Sequence, residues 1–332
     1  VYNLETKKIR MDAMIKWGII GAGNIAHRFA NSLENVSDAT LHAVANRTIE
    51  KAEKFKAEHP CEKAYGNYQE LLADEQVDAV YIAVPHKFHL EWVTKALEAG
   101  KAVLCEKPAT LSLSEMKEIS ALVKEKNLFF MEAMKSRFTP AYREVKSLID
   151  AGEIGNVTGV YTSLCRVFPK EDTGYFYEPI QGGCLLDMGV YNAALIEDFT
   201  NQPFELEELT YEMHNDTVEV YVNAKLISGH VEVILESAFD RETETKAVIR
   251  GTKGLIIIPD FHRPTSYILQ TKESMKSVEV PYKVDDFYGE IRHVVDCLAN
   301  DFTESPIMTL ENSENVAGLL DTIKAEIPYP TF

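Results

Sequence analysis

Cysteine is scarce in this chain. There are 5 in 332 residues, at positions 61, 105, 165, 184 and 297, with no C-x-x-C spacing and an odd count. That argues against a disulfide framework or a cysteine-rich zinc site, and no metal is expected. It fits a reducing compartment, so a cytoplasmic location is expected. Long apolar runs are missing too: no stretch reaches the roughly 18 residues of a membrane span. The opening VYNLETKKIRMDAM lacks the apolar core of a signal peptide. The patterned fold begins near Met14, and what precedes it reads as an extension. Positive charge is short as well. Lys plus Arg total 34 against 52 for Asp plus Glu, a net charge of −18. Nucleic acid is therefore not an expected partner, because phosphate tracking needs clustered cations. A small anionic cofactor needs only one local site.

The length suggests two domains or one large α/β unit. Early in the chain, short apolar runs at 15–20, 40–45, 77–84, 102–105 and 128–131 alternate with helical patterns. Thr48 is a candidate cap for the second helix, Gly100 ends the helix at 88–99, and Ser112 with Glu115 has the spacing of a capping box. Strands alternating with helices imply right-handed βαβ units and a parallel sheet covered on both faces. Thr139-Pro140 opens a further helix that stops at Gly152. Strand patterns then dominate, at 157–163, 205–214, 217–227, 231–237 and 247–258, with GTKG at 251–254 as a turn. Helices are expected at 185–199, 287–299 and 310–325. The expected fold is α/β: a doubly wound Rossmann sheet over 14–136, then an α+β substrate and oligomerisation domain over 137–332 with a large, open, mainly antiparallel sheet.

The first chemical motif is G-x-G-x-x-A at Gly21, Gly23 and Ala26, after an apolar strand and at the opening of a helix. Gly21 permits the tight turn, Gly23 lets backbone approach a pyrophosphate, and Ala26 lets helix and strand pack closely. The helix start at Asn24 and Ile25 offers free N–H groups to the anion. The second strand ends in Ala45-Asn46-Arg47-Thr48, without the carboxylate that usually binds the ribose hydroxyls of NAD. Arg47 can pair with a 2′-phosphate or stack on adenine, with Asn46 and Thr48 adding hydrogen bonds. NADP is the predicted cofactor, and NAD the alternative.

Pro85, His86 and His89 follow the next strand, where ligands bind such sheets. Each histidine reads as a structural or cofactor-edge residue. KAVLCEKPAT, 101–110, sets Glu106 and Lys107 at the end of a later buried strand. Lys107 can stabilise developing alkoxide charge on a substrate, and Glu106 can orient it. GGCLLDMGVY, 182–191, puts Asp187 and Tyr191 one helical turn apart. An ammonium beside Tyr191 would lower the phenol's pKa, making Lys107 and Tyr191 a plausible acid/base pair.

With GAGNIA (21–26), PHKFH (85–89), GKAVLCEKP (100–108) and GGCLLDMGVY in this order, the chain resembles the glucose–fructose oxidoreductase / inositol dehydrogenase (Gfo/Idh/MocA) family. KAYGNY (63–68) and MEAMKSRF (131–138) bring it nearest to the dimeric dihydrodiol dehydrogenase and NADP-dependent D-xylose dehydrogenase branch. The resemblance implies that Lys107 and Tyr191 are catalytic, with Asp187 near the substrate. It also implies a homodimer or higher homo-oligomer formed through the second sheet. Relatives in that branch tend to carry tryptophan where this chain has Lys135, which favours a polar, carbohydrate-like substrate over an aromatic diol. The loop at 167–179 has four aromatics, and covers the substrate or simply packs. The expected activity is NADP-dependent hydride transfer at a sugar, polyol or diol hydroxyl carbon. The rivals are a non-catalytic dinucleotide-binding regulator or sensor, and a glycosidase-like enzyme that recycles NAD internally.

Overall fold

The computed structural model describes residues 14–168, 174–200 and 203–330; the extension and part of the 167–179 loop lie outside them. The first sheet contains β1 (Ile15–Ile20), β2 (Ala39–Ala45), β3 (Lys63–Tyr65), β4 (Ala79–Ile82), β5 (Ala102–Glu106) and β6 (Phe130–Ala133). Its order is β3-β2-β1-β4-β5-β6, and every pair is parallel. β4, β5 and β6 are buried throughout, as expected of strands covered on both faces. The helices are α1 (Asn24–Leu33), α2 (Ile49–Glu58), α3 (Tyr68–Leu72), α4 (His89–Glu98) and α5 (Leu113–Lys126). Under α1, Phe29 stacks on Tyr81 with centroids 3.9 Å apart and meets the Trp17 edge at 5.3 Å. Burying rings of this size stabilises by about 1.5–3 kcal/mol each. Strand order reverses between β1 and β4, which makes the crevice at their carboxyl ends the natural ligand site.

After α6 (Pro140–Asp150) the chain builds the second sheet from β7 (Val157–Cys165), β8 (Glu205–His214), β9 (Val218–Ser228), β10 (Val231–Ala238), β11 (Lys246–Gly251), β12 (Gly254–Pro259), β13 (Ser266–Thr271) and β14 (Met275–Glu279). Its order is β14-β13-β12-β11-β7-β10-β9-β8. All pairs are antiparallel except β7 with β10. α7 (Val190–Phe199) and two further strands lie between them in sequence, which gives the long crossover that a parallel pair requires. Asn192 on α7 donates to the Glu236 carbonyl on β10 at 2.7 Å, fixing the helix against the sheet. The last helices, α8 (Tyr288–Ala299) and α9 (Leu310–Lys324), return to the first sheet. Arg28 on α1 pairs with Asp286 just before α8 at 2.5 Å, and Leu113 N donates to Asp321 on α9 at 2.8 Å.

Two capping expectations change in detail. Thr48 is the N-cap of α2, but its side chain caps nothing; its own N–H is held by Asn46 Oδ1 at 3.1 Å. Ser112 Oγ accepts from Glu115 N, while the Glu115 carboxylate reaches back to Leu111 N at 2.8 Å, one residue short of a closed box.

Candidate active site

The sequence of β1 delivers Gly21 to the crevice with φ +100°, a value that favours glycine. A Cβ there would stand 2.6 Å from the Ala83 carbonyl, so the turn passes against the end of β4 only because no side chain intervenes. Gly23 is the N-cap of α1, and a Cβ placed on it would meet nothing within 4 Å. The N–H groups of Asn24 and Ile25 precede the first intrahelical bond and so have no intrahelical partner. Across the crevice, Arg47 is exposed at the rim of a cavity of about 340 Å³, lined by Tyr68, Pro85, Phe88 and Trp92 among others. The residues present fit a dinucleotide: free helix N–H groups and open space for a pyrophosphate, an apolar aromatic slot for an adenine, and a cation beside it.

At the other end of the crevice β5 ends in Glu106 and Lys107. Lys107 Nζ donates to Asp187 Oδ1 at 3.0 Å and to the Asp187 carbonyl at 2.7 Å. The same nitrogen stands 4.8 Å from the centroid of the Tyr191 ring. Lys107, Asp187 and Tyr191, separated by up to 84 positions in sequence, therefore converge. Tyr81 on β4 donates its hydroxyl to Glu106, and Lys107 N also reaches that carboxylate at 3.3 Å. Burial pushes the Glu106 carboxyl upward, with the Tyr81 hydroxyl and the Lys107 ammonium working against it.

The segment carrying Asp187 is one π turn, Leu185–Gly189, feeding α7. Asp187 and Tyr191 therefore depart from plain α-helical spacing, and the Asp187 carbonyl is left to face Lys107. Two glycines make room for this turn. A Cβ on Gly183, at φ +107°, would overlap the Glu219 carboxylate, which accepts from Leu185 N at 3.0 Å and from Tyr329 Oη at 2.9 Å. A Cβ on Gly182 would stand 2.4 Å from the Phe176 carbonyl.

The electrostatics reverse one expectation. Burial pushes the Tyr191 phenol well above its ordinary range, and the nearby carboxylates Glu106, Asp187, Glu290 and Asp286 push the same way. The Lys107 ammonium, engaged by Asp187, does not offset them. Tyr191 is a neutral phenol at ordinary pH.

The two histidines after β4 are buried. His89 places Nδ1 on the Pro108 carbonyl and Nε2 on the Val84 carbonyl, both at 2.8 Å, tying the end of β4 to the loop after Lys107. Burial holds its pKa down, and the two carbonyls act in the opposite direction. His86 places Nδ1 3.2 Å from the Gln181 carbonyl and Nε2 3.4 Å from Tyr175 Oη, joining the first domain to the segment that precedes Gly182.

On the far wall, sequence reasoning singled out Lys135 and missed its neighbours. Lys135 is buried and paired with Asp286, which also holds Arg28. His262 meets the Tyr191 ring edge-on at 5.8 Å, with Arg166 3.3 Å from its Nε2. Glu290 is fully buried and neither of its oxygens has a hydrogen-bond partner among the described residues. Its carboxyl is pushed far upward, first by burial and then by Glu106. A tyrosine at position 81 inside an otherwise apolar buried strand was the one available signal for the Glu106 contact. His262 and Glu290 lie in patterns that read as ordinary strand end and helix.

Comparison with known proteins points to one family. The model for the Gfo/Idh/MocA oxidoreductase family, NAD-binding Rossmann fold, matches residues 15–134. The Gfo/Idh/MocA C-terminal domain model matches residues 142–257. Trans-1,2-dihydrobenzene-1,2-diol dehydrogenase of Xenopus tropicalis is 34% identical over 329 residues, covering 95% of this chain and 99% of its own. The Homo sapiens protein of the same name is 30% identical over 328 residues, covering 94% and 97%. The crystal structure of KijD10, a 3-ketoreductase from Actinomadura kijaniata, in complex with NADP and TDP-benzene, superposes with a TM-score of 0.84 at 27% identity, covering 94% and 97%. An aldose-aldose oxidoreductase from Caulobacter crescentus superposes at 0.85 with 19% identity, a likeness of fold alone. With both family models matched in order, and the glycine turn and the EKP lysine on one crevice, the chain belongs to the Gfo/Idh/MocA family of NAD(P)-dependent oxidoreductases.

Proposed function

We propose that this protein transfers a hydride between NADP and a hydroxyl-bearing carbon of a sugar, polyol or diol, with Lys107 and Tyr191 as the polar acid/base pair. The observation that carries the reading is the position of Lys107 Nζ, held by Asp187 and 4.8 Å from the Tyr191 ring, at the carboxyl end of a Rossmann strand. When bound, NADP supplies the hydride acceptor or donor. Gly21, Gly23, Asn24 and Ile25 hold its pyrophosphate, and Asn46, Arg47 and Thr48 hold the ribose phosphate. The preference for NADP rests on Arg47 and on the missing carboxylate after β2, and the NADP-bound ketoreductase relative supports it. Pro85, His86 and His89 shape the edge of the crevice.

Lys107 polarises the substrate oxygen and stabilises charge that develops on it. Tyr191, neutral in the free protein, donates a proton to that oxygen in reduction and takes it back in oxidation. Asp187 holds the ammonium in place. The buried polar groups Lys135, Asp286 and His262 favour a hydroxyl-rich substrate over the aromatic diol named for the vertebrate relatives. The partly exposed face of the second sheet is proposed to join copies of the chain, which light scattering on the purified protein checks.

The test is a screen of aldoses, polyols and diols for NADP reduction. Net NADPH formation from a free sugar or polyol is expected. Product formation without net cofactor turnover would favour internally recycled NAD, and tight cofactor binding without any turnover would favour a sensor.

A further inference from the structure

Outside the crevice, three side chains converge that the chemistry above does not use. His27 lies on α1, one turn beyond Gly23, and Glu58 and His59 close α2. His27 Nδ1 is 2.8 Å from His59 Nε2 and 3.5 Å from Glu58 Oε2. The three donor atoms lie within 4.8 Å of one another, and among the described residues no other group of histidine, cysteine and carboxylate side chains reaches that spacing in threes. Phe55 packs beside both rings, with centroid distances of 4.4 Å to His27 and 4.7 Å to His59, and limits their rotation.

We propose that His27, His59 and Glu58 form a binding site for a divalent ion of the zinc type, which clips α1 to the end of α2. Two imidazoles and one carboxylate suit zinc and its neighbours, whereas calcium and magnesium prefer all-oxygen sets. Tetrahedral zinc with bonds of about 2.0–2.1 Å sets its ligand atoms about 3.3 Å apart. The separation of Glu58 from His27, 3.5 Å, is already close to this, and Glu58 lies within 4.8 Å of His59. The two imidazole nitrogens are drawn closer by the hydrogen bond they share, and must part by about half an ångström.

That hydrogen bond has one ring donating and the other accepting. The ion needs a lone pair from each, so the ring N–H groups must sit on His27 Nε2 and His59 Nδ1. Among the described residues His59 Nδ1 is buried without a hydrogen-bond partner, so binding strands no additional group. The last carbonyls of α2 add partial negative charge at the same place. Lys54 competes for the other Glu58 oxygen from 3.8 Å, but this pair is exposed and weak. The fourth position is left to water.

The clip would join the two helices that carry opposite ends of the cofactor cradle, since α1 starts at Gly23 and α2 starts just after Arg47. It is a stabilising site with no role in the acid/base chemistry.

The experiment strips the full-length protein with a chelator and titrates it with zinc chloride by calorimetry and by thermal unfolding. One equivalent should bind, and the unfolding midpoint should rise with zinc concentration. His27→Gln and Glu58→Gln should each weaken binding about tenfold or more while leaving NADPH affinity unchanged. Cobalt(II) in place of zinc should give ligand-field bands without thiolate charge transfer, which separates this site from Cys61. Wild-type zinc affinity in the His27→Gln protein, a thiolate band, or no binding heat in the unsubstituted protein would overturn the proposal. All of these readouts stand apart from turnover, so they fail or hold independently of the oxidoreductase reading.

Discussion

Lys107 Nζ stands 4.8 Å from the centre of the Tyr191 ring while spending two of its hydrogen bonds on Asp187. The amine is thus positioned by one neighbour and presented to the other. It does not make Tyr191 acidic: burial and four carboxylates hold the phenol protonated. The resting protein is set to donate a proton.

The pH dependence follows from that direction. A group with its pKa raised well above the ordinary range keeps its proton through neutral pH and loses it only as pH rises through the higher value. Carbonyl reduction should therefore run flat from neutral into mildly alkaline buffer. Alcohol oxidation needs the phenolate and should climb with pH, by about tenfold per unit. Steady-state kcat profiles in both directions check this; an oxidation rate already saturated at neutral pH would contradict it.

Removing the amine should cost more than removing its anchor. Lys107→Met should lower kcat by about 10²–10³-fold, the loss typical of a group that stabilises developing oxyanion charge. Asp187→Asn keeps the main-chain carbonyl contact at 2.7 Å. It should cost about tenfold, within the range of one charge-assisted hydrogen bond. NADPH affinity, measured by fluorescence titration, should be unchanged in both.

Arg47→Ala should weaken NADPH binding by about 1.5–3 kcal/mol, or roughly 10- to 150-fold, through loss of one charge-assisted pair. NADH binding should barely move. Equal losses for the two cofactors would instead point to packing against adenine.

Lys135→Met should destabilise the fold. Lys135 and Asp286 are both buried, and breaking a buried pair typically costs about 3–5 kcal/mol. Arg28, still paired with Asp286, should hold the loss below the top of that range. The cations beside Asp286 hold its carboxyl below the ordinary value. Its contribution is therefore present above the unfolded carboxylate pKa and lost as pH falls through the folded one. Denaturant midpoints for wild type and variant should converge in acid, and Lys135→Met with Asp286→Asn should recover part of the loss.

Much of this was legible in the sequence, for identifiable reasons. β1, β4 and β5 are short apolar runs closed by Gly21, Pro85 and Pro108, so their positions and carboxyl ends could be read directly. The 205–214 strand is bounded by the same residues in the structure. β3, β13 and β14 escaped notice: the three residues of β3 and the exposed polar side chains of β14 carry no periodic signal, and β13 is a short run of six residues. The parallel pairing of β7 with β10 is a long-range choice that no local pattern encodes. The direction of the Tyr191 shift failed for the same reason: burial is its largest cause and Glu106, 85 residues away along the chain, the next, and only the fold brings both to the phenol. The π turn at Leu185–Gly189 also hides behind a sequence that reads as plain helix.

Single-turnover oxidation of NADPH by Tyr191→Phe, with a sugar-derived or polyol-derived ketone accepted by the wild type, tests the central assignment most directly. Loss of the lone hydroxyl should slow the turnover by about 10²–10⁴-fold at unchanged NADPH affinity. Turnover at the wild-type rate would show that the proton comes from elsewhere, and would remove Tyr191 from the chemistry.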